Sequence, residues 1–262
     1  MTIVTIDQPF QGKFTIQTNC EELTALLRLK YGVFLKSGGG GCVLSAIRQG
    51  ASYTLRLNGE TIETAQPLFE IDRILFERNR YDESVFALHG AAVEWRGAAY
   101  LFLASTTGGK TTLASYLSST GFGYITDDCI LLERESFRVT PFPTPIHLRE
   151  GGLQVLRRYG TAPEELARLD DPAFPRYIYT PRNCVTEPLP LARLFFIQRT
   201  EDENRVAPLD TNACMASLMQ APITDYAPSG EYLRFIARLA KVGCCRLLYS
   251  NMAYVAEVIR HE

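Results

Sequence analysis

Residues 104–112 read Ala104-Ser105-Thr106-Thr107-Gly108-Gly109-Lys110-Thr111-Thr112. They follow the phosphate-loop pattern GxxxxGK[ST], except that Ala104 stands where the pattern has its first glycine. Backbone N–H groups in such a loop, and at the start of the helix behind it, point at one spot and bind anions. Gly108 and Gly109 let the chain curl without a Cβ clash. Lys110 supplies a positive charge for β- and γ-phosphates, and the Thr111 hydroxyl is an oxygen ligand for Mg²⁺. Alanine is the smallest step up from glycine and is tolerated at a strand end while φ stays negative. A Ser/Thr/Gly-rich turn before an amphipathic helix would have the same composition. The strand running in and the helix running out favour phosphate binding.

Asp127-Asp128 comes one helix and one strand after Lys110. Ligands of open α/β sheets bind at strand ends, so a strand end beside the loop-bearing strand would bring a carboxylate near the γ-phosphate. One carboxylate could hold Mg²⁺, directly or through water, and the other could accept a proton from an attacking hydroxyl. The alternative is a polar turn in which each Asp bonds its own backbone. His89, in Leu88-His89-Gly90, is one of three histidines. By residue type alone it is as much a buried core histidine as a catalyst.

The elements that must position these groups are readable from periodicity. Two strands, 91–95 and 98–103, flank Arg96-Gly97 as a hairpin, and a helix spans 110–119 up to Thr120-Gly121. Strands follow at 124–126, 130–133 and 138–139, with a buried one at 194–197. Thr161-Ala162-Pro163-Glu164 reads as a capping box that opens a helix. Further helices are expected near 211–220, 230–241 and 252–260, around a strand at 246–249. The first eighty residues have another rhythm: a strand at 13–17, and a helix capped by Asn19 with Leu23, Leu26 and Leu27 as its stripe. The loop Ser37–Gly41 reads as flexible. A hairpin, 52–57 and 60–64, turns at Asn58-Gly59, and a helix opens at Pro67. The polar run 79–84 marks a boundary, giving a small α+β domain at 1–82 and an α/β domain at 83–262.

Composition narrows the class. The 262 residues are 46% hydrophobic and 21% charged with a net charge of −2. That argues against a nucleic-acid partner. No apolar run is long enough for a membrane span, and the first residues show no secretory signal. The seven cysteines lack CxxC spacing and read as reduced, mostly buried thiols of a cytoplasmic protein.

His89 before the hairpin, the loop at 104–112 and Thr126-Asp127-Asp128 soon after it together resemble the catalytic domain of the HPr kinase/phosphorylase family. That family shares its phosphate-site architecture with phosphoenolpyruvate carboxykinases. The match covers about residues 85 to 150. Its layout is closest to a shorter branch that resembles kinases of lasso-peptide precursors. The resemblance implies an ATP- and Mg²⁺-dependent kinase acting on a Ser or Thr hydroxyl of a peptide or protein, with homo-oligomers known in the family. Residues 104–112 would bind ATP phosphates and Lys110 would assist catalysis. Asp127 would be the general base, assisted by His89, with Thr111 and Asp128 at the metal. In Thr144–Gly151, Arg149 would neutralise the transferring phosphoryl group and Glu150 would reach the metal. Two other readings remain: a nucleotide-dependent peptide-binding module without catalysis, and a small-molecule kinase.

Overall fold

The computed structural model describes all residues except Phe10, Tyr81, Thr106, Pro143, Glu165, 170–175 and 221–228; of Asn79, Arg80 and Leu169 it describes the backbone alone. It is a mixed α/β protein with several sheets, divided into two compact units, Met1–Glu83 and Ser84–Glu262.

The first unit runs β1 (Thr2–Gln8), β2 (Gly12–Thr18), α1 (Glu21–Tyr31), a 3₁₀ turn, β3 (Leu35–Lys36), β4 (Cys42–Gln49), β5 (Ser52–Leu57), β6 (Glu60–Thr64) and α2 (Pro67–Arg80). Its six-stranded sheet has the order β3-β1-β2-β4-β5-β6. Ile6, Phe14, Ile16, Leu44 and Leu55 are buried, as are Leu23 and Leu27 of α1 and Ile71 and Leu75 of α2. The β5–β6 hairpin turns where expected, with φ 49° at Asn58 and 87° at Gly59, the pair of positive values a type I′ turn requires. Asn19 does not cap α1. The N-cap is Cys20, whose side chain makes no capping bond. Asn19 Oδ1 instead accepts from the Arg48 amide at 2.8 Å, and its Nδ2 donates to the Arg48 carbonyl at 3.2 Å. Its side-chain amide is thus used on the end of β4.

The second unit contains β7 (Val85–Leu88), β8 (Gly90–Trp95), β9 (Ala98–Leu103), α3 (Lys110–Ser119), β10 (Gly123–Thr126), β11 (Ile130–Glu133), β12 (Arg138–Thr140) and β13 (Ile146–Leu148). Then come α4 (Glu150–Arg158), β14 (Ala167–Leu169), β15 (Arg176–Tyr179), β16 (Leu189–Arg199), β17 (Arg205–Pro208), α5 (Thr211–Leu218), α6 (Gly230–Leu239), β18 (Cys244–Tyr249) and α7 (Met252–Arg260). The main sheet has nine strands in the order β10-β8-β9-β16-β12-β11-β7, and β18 pairs with β16 and β17. β9, β16 and β18 are mutually parallel. Alternate residues of β9 point to opposite faces. Tyr100 and Phe102 pack with Leu113, Leu117, Leu153, Leu156 and Val255 of α3, α4 and α7. Ala99, Leu101 and Leu103 pack with Leu218, Phe235, Ile236 and Leu239 of α5 and α6. Helices on both faces explain why β9 reads as an almost unbroken apolar run. Among the described residues no helix is long and apolar enough to cross a membrane.

Two sequence expectations are corrected in this unit. No helix opens at Thr161-Ala162-Pro163-Glu164. The Thr161 amide donates to the Leu156 carbonyl and the Gly160 amide to the Arg157 carbonyl, with φ 66° at Gly160. This paired closure is the Schellman motif, so Thr161 ends α4, a helix masked in the sequence by its Gly151-Gly152. The thiols are not all reduced: Cys214 and Cys244, thirty residues apart, form a disulfide between α5 and β18. Their 6.1 Å Cα separation permits the bridge, and no sequence spacing announces it.

Candidate phosphate and proton-transfer site

The loop 104–109 joins the C-terminal end of β9 to α3. Its curl rests on two positive φ values, 68° at Thr107 and 89° at Gly109, the residue that precedes α3. Glycine accepts this region freely, whereas a β-branched threonine is strained in it. Gly108 has a packing reason to be glycine. A Cβ there would lie 2.7 Å from the Ala104 Cβ and 3.0 Å from the Ser105 carbonyl. Ala104 is therefore accommodated because Gly108 has no side chain. At Gly109 a Cβ would lie 2.9 Å from the hydroxyl of Tyr249, at the end of β18. Thr106 lies outside the described residues.

Lys110 is buried, and its ammonium donates to the carbonyls of Ala104 at 3.0 Å and Ser105 at 3.1 Å. Burial lowers its pKa, and the charges of Asp128 and Asp127 oppose the fall. Carboxylates nearby favour the charged form that burial disfavours.

The acidic pair follows β10, which is not the neighbour of β9 as the sequence reading supposed. β8 lies between them. Both β10 and β9 are antiparallel to β8 and so run in one direction, which puts Asp127-Asp128 at the same end of the sheet as the loop. The two carboxylates differ. Asp127 is buried, and its Oδ1 has no hydrogen-bond partner among the described residues. Burial first, then the charge of Asp128, push its carboxyl up to about 7, while a Thr111 hydrogen bond, the Asp128 backbone and Lys110 pull the other way. Asp128 is exposed, with φ 69°. Its carbonyl lies 3.1 Å from His89 Nδ1. Only a protonated Nδ1 can donate to a carbonyl, so in the neutral ring Nε2 carries the lone pair.

His89, Lys110, Thr111 and Asp128 face a cavity of about 480 Å³, lined by His89, residues 107–112, Asp128, 147–149, Gly151, Gly152 and Arg176. Arg149, expected at the site, is there. Arg176 was missed, and His147, within the candidate stretch Thr144–Gly151, had been given no role. They arrive together through the small sheet β13-β15-β14, whose register pairs His147 with Ile178 and Leu148 with Tyr177. Arg149 follows the last paired residue of β13 and Arg176 begins β15, and both line the cavity. Arg176 is 27 residues from Arg149 in sequence, and no motif links them. Glu150 is not brought to the cavity. Its carboxylate accepts from Gln154 Nε2 at 3.3 Å and lies 3.8 Å from Arg157, on the exposed side of α4. Asp127 sits behind the cavity wall rather than on it.

Among the described residues no group of three His, Cys, Asp or Glu could hold a metal. Mg²⁺ needs no such cage, since it keeps several waters and is held through one or two carboxylates together with substrate phosphates. The Thr111 hydroxyl, the orphaned Asp127 Oδ1 and the Asp128 carboxylate are hard oxygens of the required kind. The cavity carries Lys110, Arg149 and Arg176 against Asp128, a basic balance suited to a polyphosphate.

No protein family and no curated protein matches the sequence. Among solved structures, the Hpr(Ser) kinase/phosphatase from Coxiella burnetii aligns over 67% of this chain and 94% of its own, at 11% identity and a TM-score of 0.35.

Proposed function

We propose that the protein is an ATP- and Mg²⁺-dependent phosphotransferase that phosphorylates a Ser or Thr hydroxyl of a peptide or protein. The observation that carries this reading is the union, at one end of one sheet, of the Lys110 loop with a buried carboxylate whose Oδ1 is unpartnered. An anion site alone would need only the loop. An orphaned buried carboxylate has a cost, and an acceptor proton or a metal would offset it.

The loop amides, Lys110 and α3 bind and orient the triphosphate. The acceptor oxygen attacks the γ-phosphorus while its proton passes to Asp127, and the bond to the β-phosphate oxygen breaks to release ADP. A carboxyl held near 7 is balanced between holding and releasing a proton at neutral pH. His89 presents Nε2 to the cavity and orients the acceptor. Arg149 and Arg176 offset charge on the transferring group. Thr111 and Asp128 would hold Mg²⁺, whose contribution is to neutralise charge on the phosphate oxygens. Glu150 has no part in this scheme.

The test is incubation with γ-labelled ATP, Mg²⁺ and a peptide library of Ser- and Thr-containing sequences that includes lasso-type precursors. Label is expected on a side-chain hydroxyl, located by mass spectrometry. Tight ATP binding with label on no peptide would instead support the nucleotide-dependent binding module.

A further inference from the structure

A second cavity, of about 400 Å³, lies on the other side of the loop. It is lined by Ser105, 107–109, Thr112, Gly151, Gly152, Val155 and Ile197–Arg199. It shares Thr107, Gly108, Gly109, Thr112, Gly151 and Gly152 with the first. The two spaces therefore adjoin along the loop and the first turn of α4. That turn is bare. A Cβ at Gly151 would meet nothing within 4 Å, and one at Gly152 would meet the Thr112 hydroxyl at 2.9 Å.

The cavities differ in chemistry. The first holds His89, His147, Asp128 and two arginines. The second has no carboxylate and no histidine among its lining residues. Its walls are the apolar Val155 of α4 and Ile197 of β16, with Gln198 and Arg199 at its rim. The backbones of Gln198 and Arg199 pair with Leu248 and Tyr249 of β18, while their side chains are exposed, the Arg199 charge acting on the Tyr249 hydroxyl. β16 is the parallel neighbour of β9, with Phe196 opposite Leu103. Its last residues thus leave the sheet at the same end as the loop, where ligands of open α/β sheets bind.

We infer that this second cavity is the nucleoside subsite of the phosphate donor, and that Gln198 and Arg199 recognise the base. The inference rests on the phosphotransferase reading. A triphosphate laid along the loop has its reacting end among Asp128, His89 and Lys110, so its other end extends toward the space without acid–base groups. Val155 and Ile197 offer an apolar wall for a planar base. The Arg199 guanidinium can stack on such a ring. The Gln198 amide carries both a donor and an acceptor, as a base edge does.

Direct binding of ATP and of inorganic tripolyphosphate, each with Mg²⁺, tests the assignment in the intact protein. Wild type should bind ATP more tightly than tripolyphosphate. Arg199→Ala and Gln198→Ala, both exposed, should each weaken ATP by about three- to tenfold, in line with stacking and hydrogen-bond magnitudes. Gly151→Phe, whose side chain projects into open space, should weaken ATP further, by at least about tenfold. Tripolyphosphate should stay within about twofold in the two rim variants, because the loop, Lys110 and the arginines of the first cavity hold it. Equal wild-type affinity for both ligands would overturn the subsite, as would ATP binding unchanged in all three variants. Binding of neither ligand to wild type would overturn the phosphate site and the subsite with it. Normal binding in every arm without phosphoryl transfer to any peptide would refute the phosphotransferase reading while leaving the nucleoside assignment standing.

Discussion

The protein has two glycine-rich loops, and the richer one is not the candidate phosphate site. Ser37–Gly41, in the first unit, carries four glycines in a row. The segment leads into a strand, β4, so no helix N-terminus stands behind it. Only its last glycine is required by packing, since a Cβ at Gly38, Gly39 or Gly40 would meet nothing within 4 Å. A Cβ at Gly41 would lie 2.0 Å from the Lys13 carbonyl, and the Gly40 carbonyl accepts from the Thr15 hydroxyl at 2.7 Å. The tract is therefore anchored on β2, rather than the loose linker its composition suggested. The loop at 104–109 has two glycines, but α3 follows at once and Lys110 closes over it. Glycine permits close approach of the backbone. What approaches is decided by the next element and by the charge it carries.

The largest expected effect separates the two loops outright. Lys110→Ala should reduce ATP affinity by about a hundredfold or more, as loss of a charge-assisted phosphate contact does in a partly buried site. Gly41→Ala should leave ATP affinity unchanged and instead destabilise the first unit, because both its φ of 70° and the Lys13 carbonyl oppose a side chain. Calorimetric titration and thermal unfolding of the two variants check the pair. A loss of ATP binding in Gly41→Ala would break the distinction.

Next comes the acidic pair. Asp127→Asn should lower turnover by about a thousandfold, within the range for removal of a general base, with ATP binding retained. Transfer by the wild type should rise with pH through about 7, as the raised carboxyl ionises. Stability should move the other way. Asp127 is held above its ordinary value of 3.8, so the folded state keeps the proton longer than the unfolded chain. Its contribution is greatest in acid and is lost as pH rises from about 4 to about 7. Asp127→Asn should flatten that part of the stability profile, as measured by denaturant midpoints. A smaller effect is expected from His89→Ala, a loss of about ten- to a hundredfold in turnover with nucleotide affinity nearly intact. The smallest should come from Glu150→Gln, an exposed residue outside the cavity lining whose carboxylate is engaged by Tyr177 and Gln154. Unchanged transfer there would confirm that Glu150 does not serve the metal.

Much of this was legible in the sequence where the signal is local. The hairpin around Arg96-Gly97, the loop and the helix Lys110–Ser119 fall where periodicity and turn chemistry put them. The direction of β10, and hence the placement of the acidic pair, needed the sheet order, because β8 intervenes. His147 and Arg176 could not be paired from sequence, since only the register of β13 on β15 brings them to one cavity. Gln198 and Arg199 end an ordinary apolar strand and have no motif of their own. Thr161 misled because the residues that favour helix starts also close the preceding helix when a glycine in the left-handed region comes first.

Whether Asp127 takes the acceptor proton beside the Lys110 loop is decided by label transfer from γ-labelled ATP to the best library peptide, measured for wild type and Asp127→Asn at equal nucleotide saturation. A proton-accepting Asp127 requires transfer by the wild type and about a thousandfold less by the variant. Equal rates from the two proteins, both saturated with ATP, would contradict it.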